Sequence, residues 1–229
     1  MSNPISILST KTLLSPQKQA LLNEGFSVTE ANFIKTENSD FDLKGINDNL
    51  IFTSQNAVRI IFNDLKINEQ IAHKDCFCVG EKTKFLLEEN GLKVIKMSQK
   101  SSFLADFISK NYKNSEFSFF CGSKRRPELE DILSAQKIPL KIHEVYNTIL
   151  APRYFEAIFD GILFFSPSAV LSYQKSNSWN SQTHGFCIGS STAETLKKIT
   201  TNYSIAELPN DQQLLKSIHH YYTQHHAKK

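Results

Sequence analysis

The chain repeats two phrases in the same order. Phe52-Thr53-Ser54-Gln55-Asn56-Ala57-Val58 returns as Phe164-Phe165-Ser166-Pro167-Ser168-Ala169-Val170. Phe77-Cys78-Val79-Gly80-Glu81-Lys82-Thr83 returns as Phe186-Cys187-Ile188-Gly189-Ser190-Ser191-Thr192. Two phrases recurring in step imply two similar units, each with the same loops at the same edge. The period is too long for a solenoid, so each copy is read as a whole domain. At 229 residues, each copy is large enough for its own core.

Strand and helix signals alternate along the chain. Runs such as 50–53, 75–79, 116–121 and 161–165 read as strands. Between them come stretches with helical spacing: 54–65, 82–90, 101–111, 127–136, 153–159, 168–174 and 210–222. This alternation predicts an α/β fold of two similar domains with open parallel sheets flanked by helices. The unit at 5–34 has no counterpart at the start of a second half. A discontinuous domain resolves this: 1–34 with 149–229, and 36–147 inserted. The chain then crosses twice without a Gly- or Ser-rich linker, which suggests a connector of two paired extended segments.

Composition narrows the function. A net charge of +3 and a pI of about 8.6 favour an anionic ligand but fall short of a nucleic-acid groove. Lys124-Arg125-Arg126 is the one basic triplet. No apolar run approaches the ~20 residues that span a bilayer. The first ten residues do not read as a signal peptide, so the expected setting is the cytoplasm. Cys76, Cys78, Cys121 and Cys187 read as buried core residues of a reducing compartment. Cys76 and Cys78 are expected on opposite faces of a strand, with no metal. His219, His220, His225 and His226 read as a solvated helix surface, and Asp40, Asp42 and Asp48 as turn residues. Motifs for nucleotides, zinc and the serine nucleophile elbow do not occur.

In open parallel sheets, ligands bind beyond the C-terminal strand ends. Six loops fall there: Thr10-Lys11-Thr12, Thr53-Ser54-Gln55-Asn56, 79–83, 121–127, 165–168 and 188–192. Each puts hydroxyl or glycyl residues at a helix N-terminus, where free N–H groups and the dipole favour an anion. Each loop alone reads first as an ordinary helix cap, and only the six together point to a ligand with several carboxylates or phosphates.

Taken together, these loops resemble uroporphyrinogen-III synthase. The features are Phe-Thr-Ser-x-Asn-Ala-Val (52–58), Val-Gly-x-x-Thr (79–83), Cys-Gly-x-x-x-Arg (121–126), Val-Tyr-x-Thr (145–148), Phe-Phe-Ser-Pro-Ser-Ala-Val (164–170) and Ile-Gly-x-x-Thr-Ala (188–193). The resemblance implies two α/β domains joined by a two-stranded connector. It implies cyclisation of hydroxymethylbilane, a linear tetrapyrrole with eight carboxylates, with loss of water and inversion of ring D. It implies no cofactor and no metal. Tyr146 would assist the leaving hydroxyl. Lys11, Thr53, Ser54, Asn56, Gly80, Thr83, Gly122, Arg126, Ser166, Ser168, Gly189, Ser191 and Thr192 would meet substrate carboxylates, mostly through backbone N–H groups. It further implies a monomer that meets the upstream deaminase transiently, with neither nucleic acid nor membrane as partner. Three positions depart from the family pattern: Lys11 for a common Arg, Lys84 for a small residue, and Pro127 for an acidic one. The residues themselves leave open a non-enzymatic two-domain binder of a polyanion, or an inactive family member.

Overall fold

The computed structural model describes residues 4–41 and 44–226, the side chains at 65, 66, 225 and 226 excepted. The chain starts with β1 (Ser6–Ser9), α1 (Ser15–Asn23) and β2 (Ser27–Glu30). Pro16 opens α1, where its missing N–H costs nothing. Gly25, at φ 85°, closes it: Phe26 N–H donates to the Leu21 carbonyl and Gly25 N–H to that of Leu22. Next come β3 (Ile34–Asn38), β4 (Asn49–Phe52), α2 (Gln55–Phe62), α3 (Leu65–Ile71), β5 (Asp75–Val79), α4 (Glu81–Glu89) and β6 (Lys93–Ser98). They are followed by α5 (Ser101–Asn111), β7 (Phe117–Gly122), α6 (Glu128–Ala135) and β8 (Leu140–Leu150). The last stretch holds β9 (Gly161–Phe164), α7 (Pro167–Gln174), β10 (His184–Cys187), α8 (Ser190–Leu196), β11 (Tyr203–Ile205) and α9 (Asp211–His226).

The chain divides into two compact units, Met1–Lys35 with Ile149–Lys229, and Thr36–Thr148. Strands β3 and β8 carry the chain across the division and are neighbours in one sheet. Ser39 N–H donates to the Val145 carbonyl on one side of the division, and Ala151 N–H to that of Phe33 on the other.

The sheet of the first unit runs β11-β10-β9-β1-β2, with every pair parallel. The second runs β6-β5-β4-β7-β8, also parallel, with β3 added beyond β8. The repeated phrases follow β4 and β9, then β5 and β10. Aligned on them, β1 and β2 occupy the places of β7 and β8. The two sheets are therefore one pattern with the chain entering at different points. This is why the N-terminal unit had no partner in the linear sequence: its counterpart is the end of the inserted domain.

Both faces of each sheet are covered, so strand residues alternate between two clusters. Leu50, Phe52, Cys76, Cys78 and Phe120 face α2, α3 and α4, while Ile51, Phe77, Phe117, Phe119 and Cys121 face α5 and α6. Leu8, Ile162, Phe164 and Cys187 face α7 and α8, and Ile7, Leu163 and Phe186 face α1 and α9. Cys76 and Cys78 share a face, contrary to expectation, because residues two apart on a strand point the same way. All four cysteines are free and buried.

Other expectations are also corrected. The predicted helix at 153–159 does not form. Phe155 and Phe159, four residues apart, imitate helical spacing. They pack edge to face at 5.4 Å instead, while Asn177 holds the segment by accepting from Phe155 N–H and donating to the Arg153 carbonyl. The helix predicted at 54–65 ends at Phe62, and α3 restarts where the Asp64 carbonyl accepts the N–H groups of Ile67 and Asn68. His219 pairs with Glu24 at 3.0 Å on the surface of α9. The side chains of His225 and His226, and all of Asp42, lie outside the described residues. Among the described residues no helix is long and apolar enough to cross a membrane.

Candidate active site

The place where strand order reverses opens a crevice at the C-terminal sheet edge. In the inserted unit this point lies between β4 and β7, so the loops after those strands flank it. The first is Thr53-Ser54, both half-buried. Ser54 has extended backbone (φ −147°, ψ 132°) and caps α2 by accepting the Asn56 N–H at 3.1 Å. The second is Gly122 and the turn behind it.

Tyr146 comes to this point from the neighbouring strand. The β7–β8 ladder slips one residue here: Cys121 pairs with Glu144, but Gly122 pairs with Tyr146. A bulge in a parallel pair is uncommon and re-aims the side chains that follow it. Its effect is visible in packing. Val145 and Tyr146 are adjacent in sequence, yet both pack on the α2-side cluster, where a regular strand would separate them. The Tyr146 hydroxyl then donates to Ser54 Oγ at 2.9 Å. The bulge, the glycine and the helix cap thus converge on one phenol. Burial raises the pKa of that phenol; the Ser54 hydrogen bond partly opposes the rise, and nearby Cys121 adds to it. Tyr146 is therefore a neutral donor near neutral pH, and chemically a weak acid.

The basic triplet separates into roles. Arg125 grips Glu130 through Nε at 2.5 Å and Nη2 at 3.2 Å, and reaches Glu144 through Nη1 at 2.5 Å. Its charge is spent on fixing the loop to α6 and β8, and both contacts raise its pKa further. Arg126, the residue selected by motif, is exposed. Arg125 was missed, since its partners Glu130 and Glu144 meet only in the fold. Pro127 initiates α6, and Lys84 approaches Glu88 at 3.8 Å one turn along α4.

Next along the sheet, Gly80 precedes α4. Thr83 is buried, and its N–H donates to the Gly80 carbonyl at 3.1 Å. Thr192 repeats this in the other unit: it is buried, with its N–H on the Gly189 carbonyl at 3.1 Å. Both threonines thus close their turns and do not present a side chain to solvent. Asn56, Ser168 and Ser191 are half-buried in the first turns of α2, α7 and α8.

In the discontinuous unit the order reverses between β1 and β9. Ser166 caps α7 by accepting the Ala169 N–H at 3.2 Å. Thr10 is buried and ties the two strand ends, its hydroxyl donating to the Leu163 carbonyl at 2.6 Å. Lys11 lies over the Phe165 ring at 4.1 Å and pairs with Asp211 at 3.1 Å. Its cation stands just beyond the C-terminal end of β1, paired with the first residue of α9.

Other chemistries find little support in these groups. Burial pushes the thiols of Cys76, Cys78, Cys121 and Cys187 up to about 12, so they are poor nucleophiles. Among the described residues, no three His, Cys, Asp or Glu side chains gather as a metal would need.

A comparison with curated proteins finds no match to the sequence. Among solved structures, the chain is similar to uroporphyrinogen-III synthetase from Helicobacter pylori, at a TM-score of 0.75 and 17% identity over 95% of this chain and 99% of that one. It is also similar to a mutant uroporphyrinogen III synthase from Thermus thermophilus, at a TM-score of 0.66 and 15% identity over 98% and 100% of the two chains. At such identities these likenesses carry the fold. The family is carried by sequence: the model described as uroporphyrinogen-III synthase HemD matches residues 15–216. That stretch includes all but one of the loops assembled above, and by it the chain belongs to the uroporphyrinogen-III synthase family.

Proposed function

We propose that this chain closes hydroxymethylbilane to uroporphyrinogen III, with Tyr146 as the acid that helps the hydroxyl leave. Family membership supports the reaction. The observation that carries the mechanism is the Tyr146 phenol: neutral, held at 2.9 Å from Ser54, and aimed by a bulge at the switch point of its sheet.

Departure of the hydroxyl leaves an azafulvene that is already reactive. The catalytic burden is therefore positioning, so that closure with ring inversion outruns direct closure. Substrate carboxylates are held by first-turn N–H groups: in the inserted unit those of the helices after β4 and β5, and in the discontinuous unit those of the helix after β9. Lys11 and Arg126 add charge. Ser166 and Gly189 shape their turns, and Thr83 and Thr192 support the turns they close. The chain acts as a cytoplasmic monomer and takes its substrate promptly from the upstream deaminase, because free hydroxymethylbilane closes on its own without inversion.

The test is product isomer analysis. Hydroxymethylbilane is generated in place, the products are oxidised, and the uroporphyrin isomers are separated. Type III in excess is the expected result. Type I alone, as in a protein-free control, would overturn the proposal and leave binding of a polyanion as the function.

A further inference from the structure

We infer that Ser54 is the positioning residue of Tyr146 and takes no substrate carboxylate. This rests on the function proposed above and gives Ser54 a role different from the other cap residues.

Ser54 Oγ accepts two hydrogen bonds, from the Asn56 N–H at 3.1 Å and from the Tyr146 hydroxyl at 2.9 Å. Its two lone pairs are thereby occupied; the O–H that remains could serve a carboxylate, which only accepts, or an ionised Tyr146, and the 2.9 Å approach of the phenol oxygen gives it to Tyr146. Ser166, at the matching place in the repeat, accepts the Ala169 N–H, and the place of β8 is taken there by β2, whose residues Ser27–Glu30 include no tyrosine. The repeat thus keeps the cap in both units and adds a phenol in one. That difference is built by two local features, the β8 slip and the absent Cβ at Gly122; the extended cap backbone is common to Ser54 and Ser166.

The arrangement suits a donor that must change partner. When the substrate hydroxyl arrives, the Tyr146 proton passes to it. The C–O bond breaks with its electron pair on oxygen, and one water leaves. The phenolate left behind accepts the Ser54 O–H, which is free to turn because Oγ stays anchored by the Asn56 N–H. The proton that the substrate gives up on ring closure restores the phenol, so the net change is loss of one water. The hydrogen bond from Ser54 favours the ionised phenol, in the direction that its effect on the Tyr146 pKa already shows.

The test uses the whole chain with Ser54→Gly and Ser54→Thr. Glycine keeps most of the capping preference and loses the hydroxyl; threonine keeps both. With the isomer assay, Ser54→Gly should lower kcat roughly tenfold, the scale of one hydrogen bond, with KM unchanged, and Ser54→Thr should restore it. An unchanged kcat with a raised KM would make Ser54 a carboxylate contact and overturn the inference. An independent readout needs no turnover. In protein labelled at the tyrosine Cζ carbons, the Tyr146 signal, identified by its loss in Tyr146→Phe, should titrate higher in Ser54→Gly and normally in Ser54→Thr. No shift would also overturn it. If wild type gives no excess of type III, the proposed function fails and this role fails with it, whatever the titration shows.

Discussion

The backbone of Gly122 lies against the Tyr146 ring so closely that a Cβ there would come within 2.5 Å of both Cε2 and Cζ. The glycine is buried in the all-buried strand β7, so the ring cannot be accommodated by moving the backbone into solvent. Gly122→Ala should therefore push the phenol off Ser54. The expected cost is about 1–3 kcal/mol of stability, as for other overpacked sites, with kcat at least about tenfold lower. Combined with Tyr146→Ala, the same change should cost almost nothing further. A double-mutant cycle on urea unfolding reads this coupling directly; additive costs would mean the clash is relieved elsewhere.

Tyr146→Phe removes one oxygen and leaves the ring that Gly122 accommodates. Stability should change little, while kcat for type III falls about 100-fold, the lower end for loss of an acid. The pH dependence follows from the sign of the shift. The protonated phenol is the active form, and burial raises its pKa above the ordinary 10.0. The rate should hold through pH 10 and decline only above it. An alkaline limb that begins below that value would point to a different acid.

Much of this was legible from the chain, because the repeated phrases are strand ends followed by caps, and strand ends and caps are local. Ser54 and Ser166 were found as caps because a cap is a matter of one residue and the N–H two or three ahead. What stayed hidden is non-local. The permuted equivalence of β1 and β2 with β7 and β8 exists only in sheet order. The slip that turns Tyr146 depends on which residue of β7 it faces. The helix expected at 153–159 failed because Phe155 and Phe159 have helical spacing whether they pack on a helix face or on each other. That Thr83 and Thr192 are buried was not legible either, because motif position does not reveal burial.

Arg125 and Arg126 should part company on mutation. Arg125 holds Glu130 and Glu144 from a half-buried position, so Arg125→Ala should lower stability by about 1–3 kcal/mol, the range for hydrogen bonds to charged groups. If Arg126 meets a substrate carboxylate as proposed, Arg126→Ala should raise KM several-fold and, at an exposed position, cost less stability than Arg125→Ala. Thermal melts beside steady-state kinetics separate the two. The reverse pattern would exchange their roles.

Alkaline stability should reflect the buried thiols. A thiol raised from 9.0 to about 12 favours the folded state while the unfolded thiol stays protonated, and that advantage is lost once the unfolded thiol ionises and the folded one does not. The sign follows. Their contribution is complete below pH 9 and is lost as pH rises from there toward 12, because the unfolded chain then binds fewer protons. Urea midpoints should fall between about pH 8 and about pH 11, and fall less in Cys187→Ala. Equal falls would assign the loss to other groups, such as Tyr222, whose phenol is also raised by burial.

Gly80 and Gly189 hold the same place in the repeat for different reasons, and alanine should tell them apart. Gly80 stands at φ 87°, where L side chains are strained, although an added Cβ would meet nothing within 4 Å. Gly80→Ala should cost about 1–3 kcal/mol through backbone strain alone. Gly189 stands at φ −175°, extended backbone open to any residue, and an added Cβ would touch only Pro209 Cβ at 3.6 Å, an ordinary contact. Gly189→Ala should fall within about 0.5 kcal/mol of wild type. If it nevertheless raises KM, the methyl is excluding a ligand from the α8 turn, and that turn holds substrate through its backbone. If KM is also unchanged, Gly189 serves neither fold nor substrate, and carboxylate binding in that unit rests on the loops at Lys11 and Ser166.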